Sequence, residues 1–336
     1  MWKQPPISRA TTASDIIVGT LGDTCATTNL PGRKQQLRLP NSIDTIKAVK
    51  GRTGYAGRGW LYDYRQIPAM FSETSAKKKI NKILQGWAKV TQNWDDDANT
   101  IWVIRLFMAA KLLLMATLNI NSLRFAESVN LRAAVPHLKY YSLLSLARAL
   151  CLTIPEIDWA DGQLVQMSHK RAITDAVAHV RAFDNGIASE LYSCITVARA
   201  QREFIDYRAP SSGDGGFDGL VKLEAFCRLL AELTQMNSEL LEISFEKHTS
   251  DKIFDLKEDV ISEFITIELE GVVFVDWEDF SRLGYLIRKH PRPASIRALL
   301  TEGWVDEFFG SWLSEGDGES GFNPDENPQV IFDIFG

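Results

Sequence analysis

Arg52, Arg58 and Arg65 alternate with Tyr55, Trp60, Tyr62 and Tyr64 within residues 50–65. Cations in such a pattern can meet phosphates while the rings stack on bases, so this stretch suits a single-stranded nucleic-acid groove. It suits equally a loop pinned onto a helical body by its aromatic rings. The next segment carries Lys77, Lys78, Lys79, Lys82 and Lys89. Arg52, Arg58, Trp60, Lys78, Lys79 and Lys82 are therefore the candidate nucleic-acid contacts, with a solvated lysine face as the plainer alternative. The glycines around them do not form G-x-x-x-x-G-K-[ST], so no phosphate loop is expected.

Acidic clusters offer metal chemistry at first sight. Asp95, Asp96 and Asp97 precede an apolar helical run, and Asp276, Glu278 and Asp279 precede another. Carboxylates at such positions favour a helix N-terminus, so capping is the expected role. Glu268 and Glu270 share one side of an alternating strand pattern, as glutamates on wet strands commonly do. Cys25, Cys151, Cys194 and Cys227 form no CxxC pair, and three of them sit in apolar helical patterns. They read as buried reduced thiols in a cytoplasmic protein, not as zinc ligands. No nucleophile elbow, H-E-x-x-H or dinucleotide fingerprint occurs, so neither a cofactor nor a metal is expected.

These side chains must be positioned by helices. The segment HLKYYSLLSLARALCL, residues 137–152, repeats apolar residues at helical spacing on most of its circumference. A helix of that kind is central to its fold. Pro136 fits its first turn, and Pro155 lies just beyond its end. The run 101–118 is almost long enough to span a membrane. Arg105 and Lys111 interrupt it, and charges at such depth cost roughly 2.5–3.5 kcal/mol each. A buried helix is the expected outcome, with no membrane partner. Further helices are expected from residue 76, after Ser168, from about residue 188 and from about residue 220, with the loop APSSGDGGFDG as the clearest break.

The flanks differ from this helical body. Short strands are expected at 16–23 and 33–40, and two more around Glu270–Gly271. The stretch 314–328 is acidic, Gly-rich and expected to be mobile. The formal net charge is −6. It conceals about 15 basic against 5 acidic side chains in residues 1–92, and about 7 against 19 in residues 251–336. Such a split implies different partners for the two ends, attraction between them, or simply solvated faces. The expected organisation is a basic irregular N-terminal extension over 1–70, a helical bundle over 71–250 and an acidic α+β part over 251–336. The fold class is mainly α.

Tyr140, Tyr141 and Arg148 on the central helix, His169 at the next helix start, and Arg202, Asp206 and Tyr207 further on form a recognisable order. In HLKYYSLLSLARAL, SHKRAI and REFIDYR the chain resembles the HEPN superfamily of helical bundles over roughly residues 95–250. The spacing from Pro136 to Leu150 is also similar to bacterial YaaC-like proteins. The resemblance implies one of two behaviours. Some HEPN proteins are ribonucleases that use an R-x4-6-H pair, often where two subunits meet. Others lack the pair and act as binding or assembly modules, in some cases within bacterial defence or toxin-linked complexes.

The pair usually falls in the segment that here spans residues 199–207, where this chain has Arg202, Asp206 and Tyr207 but no histidine. A carboxylate does not exchange protons near pH 7 without a large pKa shift. The expectation is therefore a non-catalytic module with a protein partner or a second copy. The alternatives are a metal-independent ribonuclease and a sequence-tolerant nucleic-acid binder. The literal spacing match, Arg132 and His137, supplies the candidate catalytic pair. Arg148 is expected to link to Asp206, His179 to pair with Asp175, and His169 to serve as a capping or core-contact residue.

Overall fold

The computed structural model describes residues 54–157, 167–217, 219–220, 222–249, 252–289, 291–313 and 321–333. Arg52, Cys25, the strands expected at 16–23 and 33–40 and the loop at 158–166 lie outside the described residues. What is described falls in one unit spanning residues 50–336. It is mainly helical, with eleven helices and one two-stranded sheet among the described residues.

The long helices begin where the sequence supplies caps. Ser72 accepts from the Ser75 amide at the start of α2 (Glu73–Thr91). Asp95 accepts from the Ala98 amide at 2.8 Å and opens α3 (Asp96–Ser128). Each satisfies an amide that a helix leaves unpaired. Asp95 is therefore a cap, as expected, with Asp96 and Asp97 in the first turn. Pro136 stands in the first turn of α4 (Val135–Leu152). Ser168 caps α5 (His169–Arg181), and Asp184 caps α6 (Asn185–Arg208). Then follows α7 (Leu223–Thr249).

The central role expected for residues 137–152 holds. Helix α4 touches α3, α5, α6 and α7. Its buried residues include Tyr140, Leu143, Leu144, Leu150 and Cys151. Helix α3 is the one described helix long and apolar enough to cross a membrane, and most of its apolar window is buried inside the protein. Its interrupting charges are satisfied there. Arg105, 3% exposed, donates Nε to the Leu152 carbonyl at 2.8 Å and Nη1 to Ile157 at 2.8 Å. Nη2 reaches Cys151 and Ile154, and the guanidinium lies 3.8 Å from the Trp102 ring centroid. The arginine thus gathers four carbonyls at the end of α4 and in the turn after it, two of which, Cys151 and Ile154, also accept backbone amides. Lys111 bonds Asp276 at 3.1 Å and also Asp279. The cation these two carboxylates hold is this ammonium, while Asp276 also accepts from the Asp279 amide.

Helix α7 carries a polar seam through the core. Glu232, Gln235, Glu239 and Glu242 recur at helical spacing on it. Glu232 accepts from the amides of Arg65, Gln66 and Ile67, which open α1 (Gln66–Met70). Glu239 accepts from the amides of Leu61 and Tyr62 and from the Tyr64 hydroxyl. Glu242, Ser238 and Gln235 accept from the amides of Ser295, Ile296 and Arg297, which open α10 (Ile296–Leu299). Neither short helix has a side-chain cap of its own. Side chains of α7 do that work from across the core.

The C-terminal stretch adds α8 (Glu258–Ile265), β1 (Thr266–Leu269), β2 (Val272–Val275), α9 (Trp277–Lys289) and α11 (Glu302–Gly310). The expected hairpin turns on Glu270 and Gly271, at φ 52° and 79°. Positive φ at both central residues suits the right-handed twist of the paired strands. The expected boundaries at residues 70 and 250 are not breaks in packing. One hydrophobic core takes in Trp60 and Tyr62, the helices, and Val330, Ile331 and Phe332. Phe332 stacks on Tyr62 at 4.6 Å, so the final described residues are packed; of the stretch 314–328 expected to be mobile, residues 314–320 lie outside the described residues.

Candidate functional site

Three helices bring chemistry-bearing side chains to one corner of the bundle. The first turn of α4 supplies His137, its next turns supply Tyr140 and Tyr141, and its last half supplies Arg148. Helix α5 begins with His169. Helix α6 supplies Arg199, Arg202, Glu203 and Asp206 at spacings of three and four, hence on one face. Mutual packing of α4, α5 and α6 places these faces together.

Arg202 is the hub. It is buried, donates Nη1 to the Tyr141 hydroxyl at 3.1 Å, and lies 3.8 Å from Asp206 through Nε. Its guanidinium is 5.0 Å from the Tyr140 ring centroid and 5.8 Å from that of Tyr141. Nη2 is 3.4 Å from Glu203, which also holds Arg199 at 2.7 Å. Asp206 is shared, because its Oδ1 stands 2.6 Å from His137 Nε2. A carboxylate only accepts, so Nε2 of His137 carries hydrogen and Nδ1 is left for other work. On the opposite flank, Tyr140 Oη lies 2.9 Å from His169 Nδ1.

The electrostatics of the two flanks differ. Burial, then the charges of Arg148, Arg202 and Arg199, lower the pKa of His169. It stays neutral at neutral pH. Burial raises the pKa of Tyr140 against the pull of Arg199 and Arg202, so its phenol stays protonated. Arg148 gives Nη2 to the Met167 carbonyl at 3.1 Å, and its buried Nε has no hydrogen-bond partner.

Several expectations are corrected by this arrangement. The corner that was to lack an imidazole holds His137 and borders His169. Asp206 bonds His137 and faces Arg202, while Arg148 turns to Met167; the expected Arg148–Asp206 link is replaced. Arg132 and His137 do not act on one another, since Arg132 bonds Asp214. Residues 132–134 form a turn before α4, which lets the two side chains diverge. Tyr207 points to solvent at 74% exposed. His179 is buried, with Nε2 3.4 Å from the Asn237 amide nitrogen, and Asp175 pairs with Arg171 instead. Burial and the charge of Lys79 take the His179 pKa down to about 3.

The expected nucleic-acid contacts separate. Trp60 is 3% exposed, donates its indole N–H to the Tyr55 carbonyl at 2.9 Å and packs edge-on against Tyr64. Its ring is unavailable to a base, and the aromatic stretch is a pinned loop. Arg58 is partly exposed; Lys78 and Lys82 are exposed; Lys79 is half-buried, and burial lowers its pKa. Sequence reasoning missed Arg199 and Glu203, although both lie within a turn or two of Arg202 on the same helix.

Among the described residues no group of three His, Cys, Asp or Glu side chains could hold a metal ion. The described cysteines are buried and unbridged. No family model matches the chain, and no curated protein or solved structure matches it, so the corner must be read from its own geometry.

Proposed function

We propose that the α4–α5–α6 corner binds RNA and cleaves its phosphodiester backbone without a metal, on a HEPN-like helical bundle in the cytoplasm. The observation that carries this is the pair of imidazoles flanking Arg202, one neutral and one held by a carboxylate. Arg199 and Arg202 offer planar donors to a phosphate, and guanidinium is the side chain best shaped for that contact. In the tautomer that carries hydrogen on Nδ1, facing the Tyr140 oxygen, His169 has Nε2 free to take the proton of a ribose 2′-hydroxyl. The 2′ oxygen then attacks phosphorus, and the bond to the 5′ oxygen breaks. Protonated His137 is an ion-pair partner of Asp206 through Nε2 and can give its Nδ1 proton to the departing 5′ oxygen. The products are a 2′,3′-cyclic phosphate and a 5′-hydroxyl. Positioned proton transfer of this kind contributes about 10²–10⁴-fold to a rate.

The test is incubation of the purified chain with single-stranded RNA in the presence of a chelator, with the ends identified chemically. Cleavage leaving cyclic phosphates, lost in His137→Ala and His169→Ala, is the expected result. An intact RNA, or cleavage unchanged in both variants, would overturn the reading. A second reading, a non-catalytic assembly module, has its own support in the exposed apolar hairpin of the C-terminal part. Under that reading the corner binds an anion and does no chemistry.

A further inference from the structure

The β1–β2 hairpin presents an open edge that a folded monomer has reason to cover. In its register Ile267 faces Phe274 and Leu269 faces Val272, so these four apolar side chains share one face. The other face holds Thr266, Glu268, Val273 and Val275. Every residue of β2 is exposed, from 39% at Val275 to 58% at Val273. Among the described residues nothing pairs with the outer edge of β2. Edge strands are usually protected by a charge, a proline or a bulge, and β2, VVFV, has no charge and no proline. The carboxylates Glu268 and Glu270 lie on β1 and in the turn.

We propose that β2 pairs antiparallel with β2 of a second copy of this chain, making a four-stranded sheet about a twofold axis. The charges choose the edge. Pairing through β1 would set Glu268 against its own copy. Pairing through β2 leaves the two β1 strands three strand spacings apart, about 14 Å, beyond the screening length of physiological salt. The side-chain pattern chooses the register. With Val273 opposite the partner's Val273, Val272 meets the partner's Phe274, and the apolar face runs unbroken across all four strands. Antiparallel pairing of a strand with itself is self-complementary, as a twofold interface requires. Trp277 and Phe280, just beyond β2 and about half exposed, extend the apolar surface. With on the order of 100 Å² from each of Phe274, Trp277 and Phe280, the aromatics of two copies cover roughly 600 Å², and the exposed valines of β2 add to it, the size of a weak, concentration-dependent interface.

The experiment is sedimentation of the full chain between ~1 and ~100 µM, the range in which a micromolar association is visible. Wild type is expected as a dimer at the upper concentrations and Val273→Lys as a monomer with unchanged circular dichroism. Register is read separately, in a Cys25→Ser background. Val273→Cys is expected to cross-link quantitatively on mild oxidation, since directly opposed residues meet disulfide geometry. Val275→Cys, displaced by two residues, is expected to cross-link several-fold less. A wild-type monomer throughout the range overturns the proposal, as does a monomer that co-sediments with phosphatidylcholine vesicles. Equal cross-linking at 273 and 275 overturns the register on which it rests.

Discussion

His137 and Asp206 lie 2.6 Å apart across 69 residues of chain, one at the start of α4 and the other near the end of α6. Neither helix alone fixes the contact. It exists because α4 and α6 pack along one another and because Pro136 starts α4 just before His137. The carboxylate sets which imidazole nitrogen carries hydrogen, and it also faces Arg202, so His137 and the central arginine share one anion.

Replacement of Asp206 by Asn tests that sharing. The shape is kept and the charge is lost, so RNA cleavage is expected to fall about 10²-fold, the lower end of what a positioned proton donor contributes. Binding of a non-cleavable RNA should change little. Arg202→Lys is expected to do the opposite and weaken binding, because a single ammonium cannot replace the planar fork. Filter binding beside single-turnover cleavage separates the two effects.

His169 sets the acid side of the pH profile. Its pKa is lowered by burial and then by Arg148, Arg202 and Arg199. A base with a lowered pKa stays unprotonated to lower pH, so the acid limb of kcat/KM should lie below 6.5. Arg148→Met removes one of the three guanidinium groups and should move that limb upward. A limb at or above 6.5 in wild type would contradict the role assigned to His169.

Arg105 is a matter of stability. Arg105→Met removes the side-chain donor of the Leu152 and Ile157 carbonyls and the second donor of the Cys151 and Ile154 carbonyls inside the core. Breaking a buried charged network costs about 3–5 kcal/mol. Denaturant unfolding should show a loss of that size, with the midpoint moved and the slope unchanged.

Glu242 predicts a pH dependence of the opposite sign from that of most carboxylates. Burial, with Glu246 nearby, pushes its pKa up to about 7. The folded chain therefore binds more protons than the unfolded chain between pH 4.5 and 7, and stability through this group declines as pH rises across that window. Glu242→Gln removes the ionisation and keeps an acceptor for the Ser295 amide. It should stabilise the protein by about 1–2 kcal/mol at pH 8 and by little at pH 4.5. Melting curves at the two pH values check this.

The secondary structure was largely legible because its signals are local. Pro136, Asp95 and Ser168 mark helix starts within a few residues of where they act, and the apolar circumference of residues 137–152 announces a helix with neighbours on several sides. The site was legible only in its parts. Tyr140, Arg148, His169, Arg202 and Asp206 stand out singly, but which of them meet depends on how three helices pack, and spacing along the chain says nothing of that. Looking for an imidazole beside Arg202 within residues 199–207 missed His137, which reaches that corner from a different helix. The tryptophan at 60 misled for a related reason. An aromatic beside arginines looks the same whether it stacks on a base or fills the core, and the contacts that decide, with the Tyr55 carbonyl and the Tyr64 ring, appear only once the loop has folded against the helices.

Helix α7 fastens the stretch at 61–67 and the stretch at 295–297 with adjacent side chains of a single seam. Helices of five and four residues do not persist in water by themselves. Peeling either stretch away would take from the α7 carboxylates the amides that satisfy them. Amide protons in the two stretches, though more than 200 residues apart, should accordingly exchange with solvent at matched rates, and a fragment trimmed to α2–α7 should not hold its shape.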